Sequence, residues 1–156
     1  MDPTRQVTLT TVVAGGLAIA HAVATWPPEA VVALFGSGAL IAFCAEAIVV
    51  ARGWLTHHVT PRVAGVPLYT LLAWPTTVYV VYRFTLLVTA GWPAVVATAV
   101  LATIVDVLTD HTGVDRGLWT YTDAVPGPRY RGVPWWNYLG WLAITGVIAA
   151  GTRPFL

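Results

Sequence analysis

The stretch Glu29 to Ala51 reads EAVVALFGSGALIAFCAEAIVVA, and only Glu29 and Glu46 carry charge in it. A helix needs roughly 20 apolar residues to cross a hydrocarbon core, so this run is long enough to be a membrane span. Glu29 falls in the first turn, where the positive end of the helix dipole favours a carboxylate. Glu46 has no such excuse. An ionisable side chain inside an apolar span costs several kcal/mol unless it finds a partner, which makes it a candidate functional residue. Its plainer alternative is an ion pair with Arg52, about a turn and a half further on, or with another arginine at the same face.

Working outward, the same reading gives four more spans. They are approximately residues 7–25, 67–89, 92–109 and 134–151. Trp26-Pro27-Pro28 closes the first, because two prolines cannot continue a helix and tryptophan favours the headgroup level. His21, one turn earlier, reads as an interfacial hydrogen-bonded side chain. Pro75 lies in mid-span and should kink the third helix, opening space beside it. Tyr69, Trp74, Tyr79 and Tyr82 would give that space an aromatic lining, and Arg83 would snorkel to the far interface. Composition agrees: 57% of the 156 residues are hydrophobic and 10% charged, with a mean hydropathy of +0.72. A soluble domain carries about 25% charge, and the short alternating segments of a membrane β-barrel are missing. The expectation is an all-α, polytopic helical membrane protein. It would form one domain over residues 1–156, with five transmembrane helices and a polar loop on the cytoplasmic side between helices four and five.

Arginine is the only basic side chain besides histidine, with no lysine anywhere. A retinal Schiff base requires a lysine amine, so rhodopsin-type photochemistry is excluded. The arginine bias also suggests a GC-rich genome of an archaeal or actinobacterial kind. A net charge of +1 with dispersed arginines gives no basic patch for nucleic acid. Cys44, alone in an apolar run, offers neither a disulfide nor a thiolate metal site. The N-terminus reads as a first span rather than a cleaved signal peptide. Counting arginines by side puts the N-terminus in the cytoplasm and the C-terminus outside. The same count gathers Glu46, His57, His58, Asp106, Asp110, His111, Asp115, Asp123 and Asn137 near the cytoplasmic face of a cell membrane. His57 and His58 are adjacent and would diverge by about 100° on a helix, too far apart to chelate one ion. Interfacial positions suit them, with a proton-transfer role open for one. No internal repeat stands out.

The polar chemistry concentrates in Asp106 to Trp141, DVLTDHTGVDRGLWTYTDAVPGPRYRGVPWWNYLGW, with four of the seven acidic residues and half the tryptophan. Asp106 and Asp110 share a helix face at spacing i, i+4. A carboxyl at the edge of an apolar core can hold a proton and donate it, while a second carboxylate takes one from water. Aromatic faces stabilise a transient cation. That set suits acid–base chemistry on a lipid-soluble alkene: hydration, isomerisation or cyclisation. The Asp-x-x-x-Asp spacing also occurs in membrane prenyltransferases, but the second aspartate-rich motif they need is missing. No histidine cluster supports a di-iron desaturase, and the loop glycines do not form a phosphate loop. No metal site and no cofactor are expected.

Five features occur in order: Glu46, GVPLYTLLAWPTTVYVVYR (Gly65 to Arg83), Asp106 with Asp110, GLWTY (Gly117 to Tyr121) and YRGVPWWNYLGW (Tyr130 to Trp141). Over roughly residues 40–145 this resembles the carotenoid biosynthesis membrane proteins that include the C50 carotenoid hydratase of bacterioruberin synthesis and the γ-carotene hydratase. The chain is shorter than those proteins and has His111 where their pattern has proline. The resemblance implies hydration of a terminal isoprenoid double bond, without a redox cofactor, in the cell membrane. On that reading Asp106 or Asp110 donates the proton and Glu46 is the partner carboxylate or water activator. Trp119, Tyr121, Trp135 and Trp136 would form the aromatic wall, joined by Tyr69 and Trp74, and Asn137 would orient water or a carboxyl. The partners would be a lipid-soluble carotenoid, membrane lipid, and other pathway enzymes or a second copy of the chain. A non-enzymatic carotenoid-binding or scaffold protein would use the same aromatics but tolerate neutral carboxylates. A small proton-coupled transporter would use Glu46 as a relay.

Overall fold

A computed structural model describes residues 2–156 of the chain. Helix α1 spans Pro3–Thr25 and α2 spans Pro28–Ala51. Strands β1 (Leu55–His57), β2 (Arg62–Val63) and β3 (Val66–Pro67) lead to α3, Thr70–Thr85. After α4 (Gly91–Asp115) come β4 (Trp119–Tyr121), β5 (Arg129–Tyr130) and β6 (Val133–Pro134). Helix α5 (Trp135–Thr152) then ends in a 3₁₀ turn, Arg153–Phe155. The molecule is mostly helical, and α1, α2 and α4 are long and apolar enough to cross a membrane.

Local chemistry sets the boundaries. Asp2 caps α1 by accepting a hydrogen bond from the Arg5 backbone N–H at 3.3 Å, with Pro3 in the first turn. The first helix therefore starts four residues before the expected Val7. Trp26 is extended, and Pro28 begins α2. Val32–Ser37 of α2 is π-helical, which nothing in the hydropathy pattern signals. Helix α4 runs on past the expected Thr109 and stops at Gly117, whose φ of +68° is a left-handed conformation that glycine adopts freely.

Two expectations are corrected. The chain is not purely helical, because the polar connections fold into three short antiparallel ladders, β1–β4, β2–β3 and β5–β6. The chain also contains an internal repeat. Arg62-Val63-Ala64-Gly65-Val66-Pro67 and Arg129-Tyr130-Arg131-Gly132-Val133-Pro134 form the same hairpin, with positive φ at Ala64 and Gly65 and again at Arg131 and Gly132. Ladder β1–β4 pairs Leu55 with Tyr121, Thr56 with Thr120 and His57 with Trp119. Since Arg52-Gly53 recurs 64 positions later as Arg116-Gly117, Thr56 and Thr120 are equivalent and sit on a local two-fold axis. The unit α2–β1–β2–β3–α3 is thus repeated as α4–β4–β5–β6–α5.

Packing is inverted relative to a soluble domain. Gly15, Ala18, Ala22, Ala30, Gly38, Ala42, Ala94, Ala99, Ala102 and Ala149 are buried at helix contacts. Leu17, Leu87 and Val88 point outward at 68%, 76% and 84% exposure. Small residues let helix backbones approach closely where lipid supplies no hydrophobic drive. Thr85 and Thr98 hydrogen-bond between α3 and α4 at 2.8 Å, in full burial. At the end of the bundle away from the ladders, Trp26, Phe35, Tyr79 and Tyr82 cluster, and Tyr79 Oη lies 2.6 Å from His21 Nδ1. Arg83 and Arg153 lie over the Trp26 and Trp92 rings there.

Candidate functional site

Ladder β1–β4 closes one end of the bundle and carries His57 and Tyr121 inward. Each meets a carboxylate on the helix that precedes it by 11 residues. His57 Nε2 lies 2.6 Å from Glu46 Oε2. The Tyr121 hydroxyl donates to Asp110 Oδ2 at 2.9 Å. Glu46 and Asp110 are 64 positions apart, and so are His57 and Tyr121. The two arms are the repeat's equivalents, one a carboxyl–imidazole pair and the other a carboxyl–phenol pair.

The other oxygen of Glu46, Oε1, accepts from Trp74 Nε1 at 3.1 Å. Trp74 lies flat on Trp141, with ring centroids 3.8 Å apart and planes 11° from parallel. These two tryptophans are again repeat equivalents, 67 positions apart. Asp106, one turn before Asp110, is 4% exposed and accepts from Asn137 Nδ2 at 2.8 Å. Burial, followed by the charges of Asp110, Asp106 and Glu46, pushes the Tyr121 phenol well above its usual value. Tyr121 therefore stays protonated and acts only as a donor, whereas an imidazole can also take a proton.

Around these groups lies a cavity of about 430 Å³. Glu46, Asp110, Tyr69, Trp74, Trp119, Tyr121, Trp136 and Asn137 line it, so eight of the ten residues assigned to the reaction on the sequence converge on one space, while Tyr79 and Tyr82, also expected in the lining, do not. Asp106 does not line it and reaches it only through Asn137. Trp135 turns away, its Nε1 donating to the Pro126 carbonyl at 3.3 Å and its ring covering Gly127. His57, for which the sequence left only a proton-transfer role open, contributes as the partner of Glu46, and Trp54, Leu55 and Trp141, which were given no role, stand in the wall. Glu46 is thus paired with His57, not with Arg52. The signal for His57 was present in the sequence as an 11-residue carboxylate-to-partner spacing found twice. His58 diverges from His57 and meets Thr120 Oγ1 at 2.9 Å. Among the described residues, no group of three His, Cys, Asp or Glu side chains converges as a metal site.

No family model, curated protein or solved structure matches this chain.

Two carboxyls held by different partners at one apolar, tryptophan-rich cavity can protonate a non-polar double bond on one side and deprotonate water on the other. Gly113 permits the wall to close: a Cβ there would overlap the Trp119 ring.

Proposed function

We propose that the chain is a multi-pass membrane enzyme that adds water to a terminal isoprenoid C=C of a carotenoid. All five long helices cross the bilayer in this reading, α3 and α5 as the shorter ones. The N-terminus and the ladder end lie on the cytoplasmic side, where Arg5, Arg52, Arg62, Arg116, Arg129 and Arg131 collect. The C-terminus lies outside. The observation that carries the reading is the facing pair Glu46–His57 and Asp110–Tyr121 at a cavity walled by Trp54, Trp74, Trp119, Trp136 and Trp141. The ordered motifs from Glu46 to Trp141 add the carotenoid substrate class.

Asp110 is the acid because it lines the cavity, whereas Asp106 stands behind Asn137. Its O–H bond breaks and a C–H bond forms at the terminal double bond, leaving a tertiary carbocation beside tryptophan faces. Water attacks the cation to form the C–O bond. Its surplus proton passes to Glu46, whose Oε2 is held by His57 and Oε1 by Trp74. Proton return from the Glu46 arm to Asp110 through cavity water resets the site, so the net change is one water added.

The test is pigment mass after co-expression in cells that accumulate lycopene or a C50 anhydro-carotenoid. A gain of one or two waters supports the hydratase. Intact pigment carried by well-expressed protein with no mass change would replace it with the binding-protein reading.

A further inference from the structure

The repeat relates the helix junctions as well as the ladders. Under the two-fold, the α3/α4 junction corresponds to the junction between α5 and α2. Both are sealed at the end away from the ladders, the first by Val78, Tyr82, Ala94 and Thr98 and the second by their repeat counterparts Thr145, Ala149, Ala30 and Leu34, all buried. In the second, a Cβ on Gly38 would also meet Ile148 Cγ2 at 3.3 Å. Towards the ladders, Ala45, Ile48 and Val49 of α2 face the cavity from one side, and Gly140 and Ile144 of α5 from the other. Ile48 is 59% exposed, and the other four keep partial exposure. By contrast Leu55 and His57 on β1 and Tyr69, Thr70 and Trp74 at the start of α3 are buried, and Ala73 between them is half-buried. Gly140 is the gap itself: a Cβ built there meets nothing within 4 Å.

We infer that the cavity is reached sideways, through a portal between α2 and α5, and that its ligand is a long apolar chain threaded in from the lipid. The margin consists of Ala45, Ile48, Val49, Gly140 and Ile144, with no charged or hydrogen-bonding side chain among them. A polar solute gains nothing there, whereas a hydrocarbon chain exchanges one apolar surround for another. A cavity of about 430 Å³ lies within the usual range of ligand pockets, ~300–1,000 Å³. It takes the reacting end of a long polyene while the remainder stays between the helices and the bilayer. This route rests on the lipid-soluble substrate proposed above, and it tests separately from the hydration chemistry.

The experiment compares wild type, Gly140→Phe and Gly151→Phe in phosphatidylcholine vesicles containing all-trans-retinol. This polyene accepts excitation energy from tryptophan, so transfer from the cavity tryptophans reports occupancy. Gly151 lies on the same helix, also with nothing within 4 Å of a built Cβ, and controls for bulk added outside the portal. Wild type and Gly151→Phe should show saturable transfer, and Gly140→Phe should need about tenfold more retinol or more for half-saturation, about 1.4 kcal/mol. Equal transfer in wild type and Gly140→Phe overturns the portal, as does the absence of saturable transfer in wild type. Retinol occupancy that depends on Gly140, with no water added to any carotenoid, would keep the portal and sink the hydratase.

Discussion

Replacing His57 by Phe separates the hydrogen bond to Glu46 from everything else the residue does. Phenylalanine keeps a flat ring in a site that is 4% exposed. It also keeps the edge contact with Trp119, whose ring centroid lies 6.3 Å away at 68°. What disappears is the 2.6 Å contact from Nε2 to Glu46 Oε2. A hydrogen bond to a charged group contributes about 1.5–3 kcal/mol. At about 1.4 kcal/mol per factor of ten, the proposed hydration should slow by about 10- to 150-fold. Because Glu46 acts after the substrate is seated, kcat should carry the loss with KM little changed. His57→Gln retains an N–H donor and should recover part of it. The assay is the initial rate of water addition in membranes, normalised to folded protein, across a pH series. A His57→Phe rate within about twofold of wild type at every pH would refute the role of the imidazole. A change confined to thermal stability would reduce it to packing.

Asp110→Asn should abolish product while the protein still accumulates in membranes, and unchanged turnover would remove Asp110 as the acid. Trp74→Ala loses both the stack on Trp141 and the donor to Glu46, and should destabilise by about 3–5 kcal/mol. Trp74→Phe should recover most of that stability but not the rate, read by thermal unfolding in detergent beside turnover. Gly113→Ala gains about 1 kcal/mol of helix propensity but drives a methyl into the Trp119 ring, an overpacking cost of about 1–3 kcal/mol. Its unfolding midpoint should fall, whereas that of Gly16→Ala, with nothing within 4 Å, should hold or rise. Tyr121 is raised by burial and by the neighbouring carboxylates, so its neutral form is favoured in the fold. That contribution is complete below the ordinary tyrosine value of about 10 and declines as pH rises through the higher folded value. Ultraviolet titration of wild type against Tyr121→Phe should show one phenol ionising above 10; ionisation at the ordinary value would contradict the buried donor.

The helices were legible because their limits are written in single residues. Proline pairs and uninterrupted apolar runs each have a direct backbone consequence, and four of the five expected segments coincide with helices to within four residues. The segment expected to end at Thr109 runs six residues further, because Gly117 was not read as its stop. The ladders were not legible, since a strand of two or three residues is too short to show alternation. The repeat was hidden by arithmetic: equivalent residues lie 64 apart up to the ladder and 67 apart after it, because the second loop is three residues longer. Without that register, Glu46 looked to Arg52 for a partner and His57 stood alone. Asp106 and Trp135 fell short of the cavity for a related reason. Helical spacing puts Asp106 and Asp110 on one face, but burial depth separates them, and the Trp135-Trp136 pair splits because neighbours at the start of a helix point in different directions.

Two arms related by a two-fold present the same face to whatever lies between them, and such a site has no preferred direction. A double bond has two ends, and hydration places hydrogen on one carbon and hydroxyl on the other. In the proposed hydration the tertiary cation already fixes which carbon takes the hydroxyl, so what the arms settle is which of them gives the proton, and that must be written where they have diverged. At the heart of the site the divergence is small: Glu46 opposite Asp110, His57 opposite Tyr121, Thr70 opposite Asn137. On the hydration reading, those exchanges, rather than the scaffold that carries them, set which arm gives the proton and which receives it.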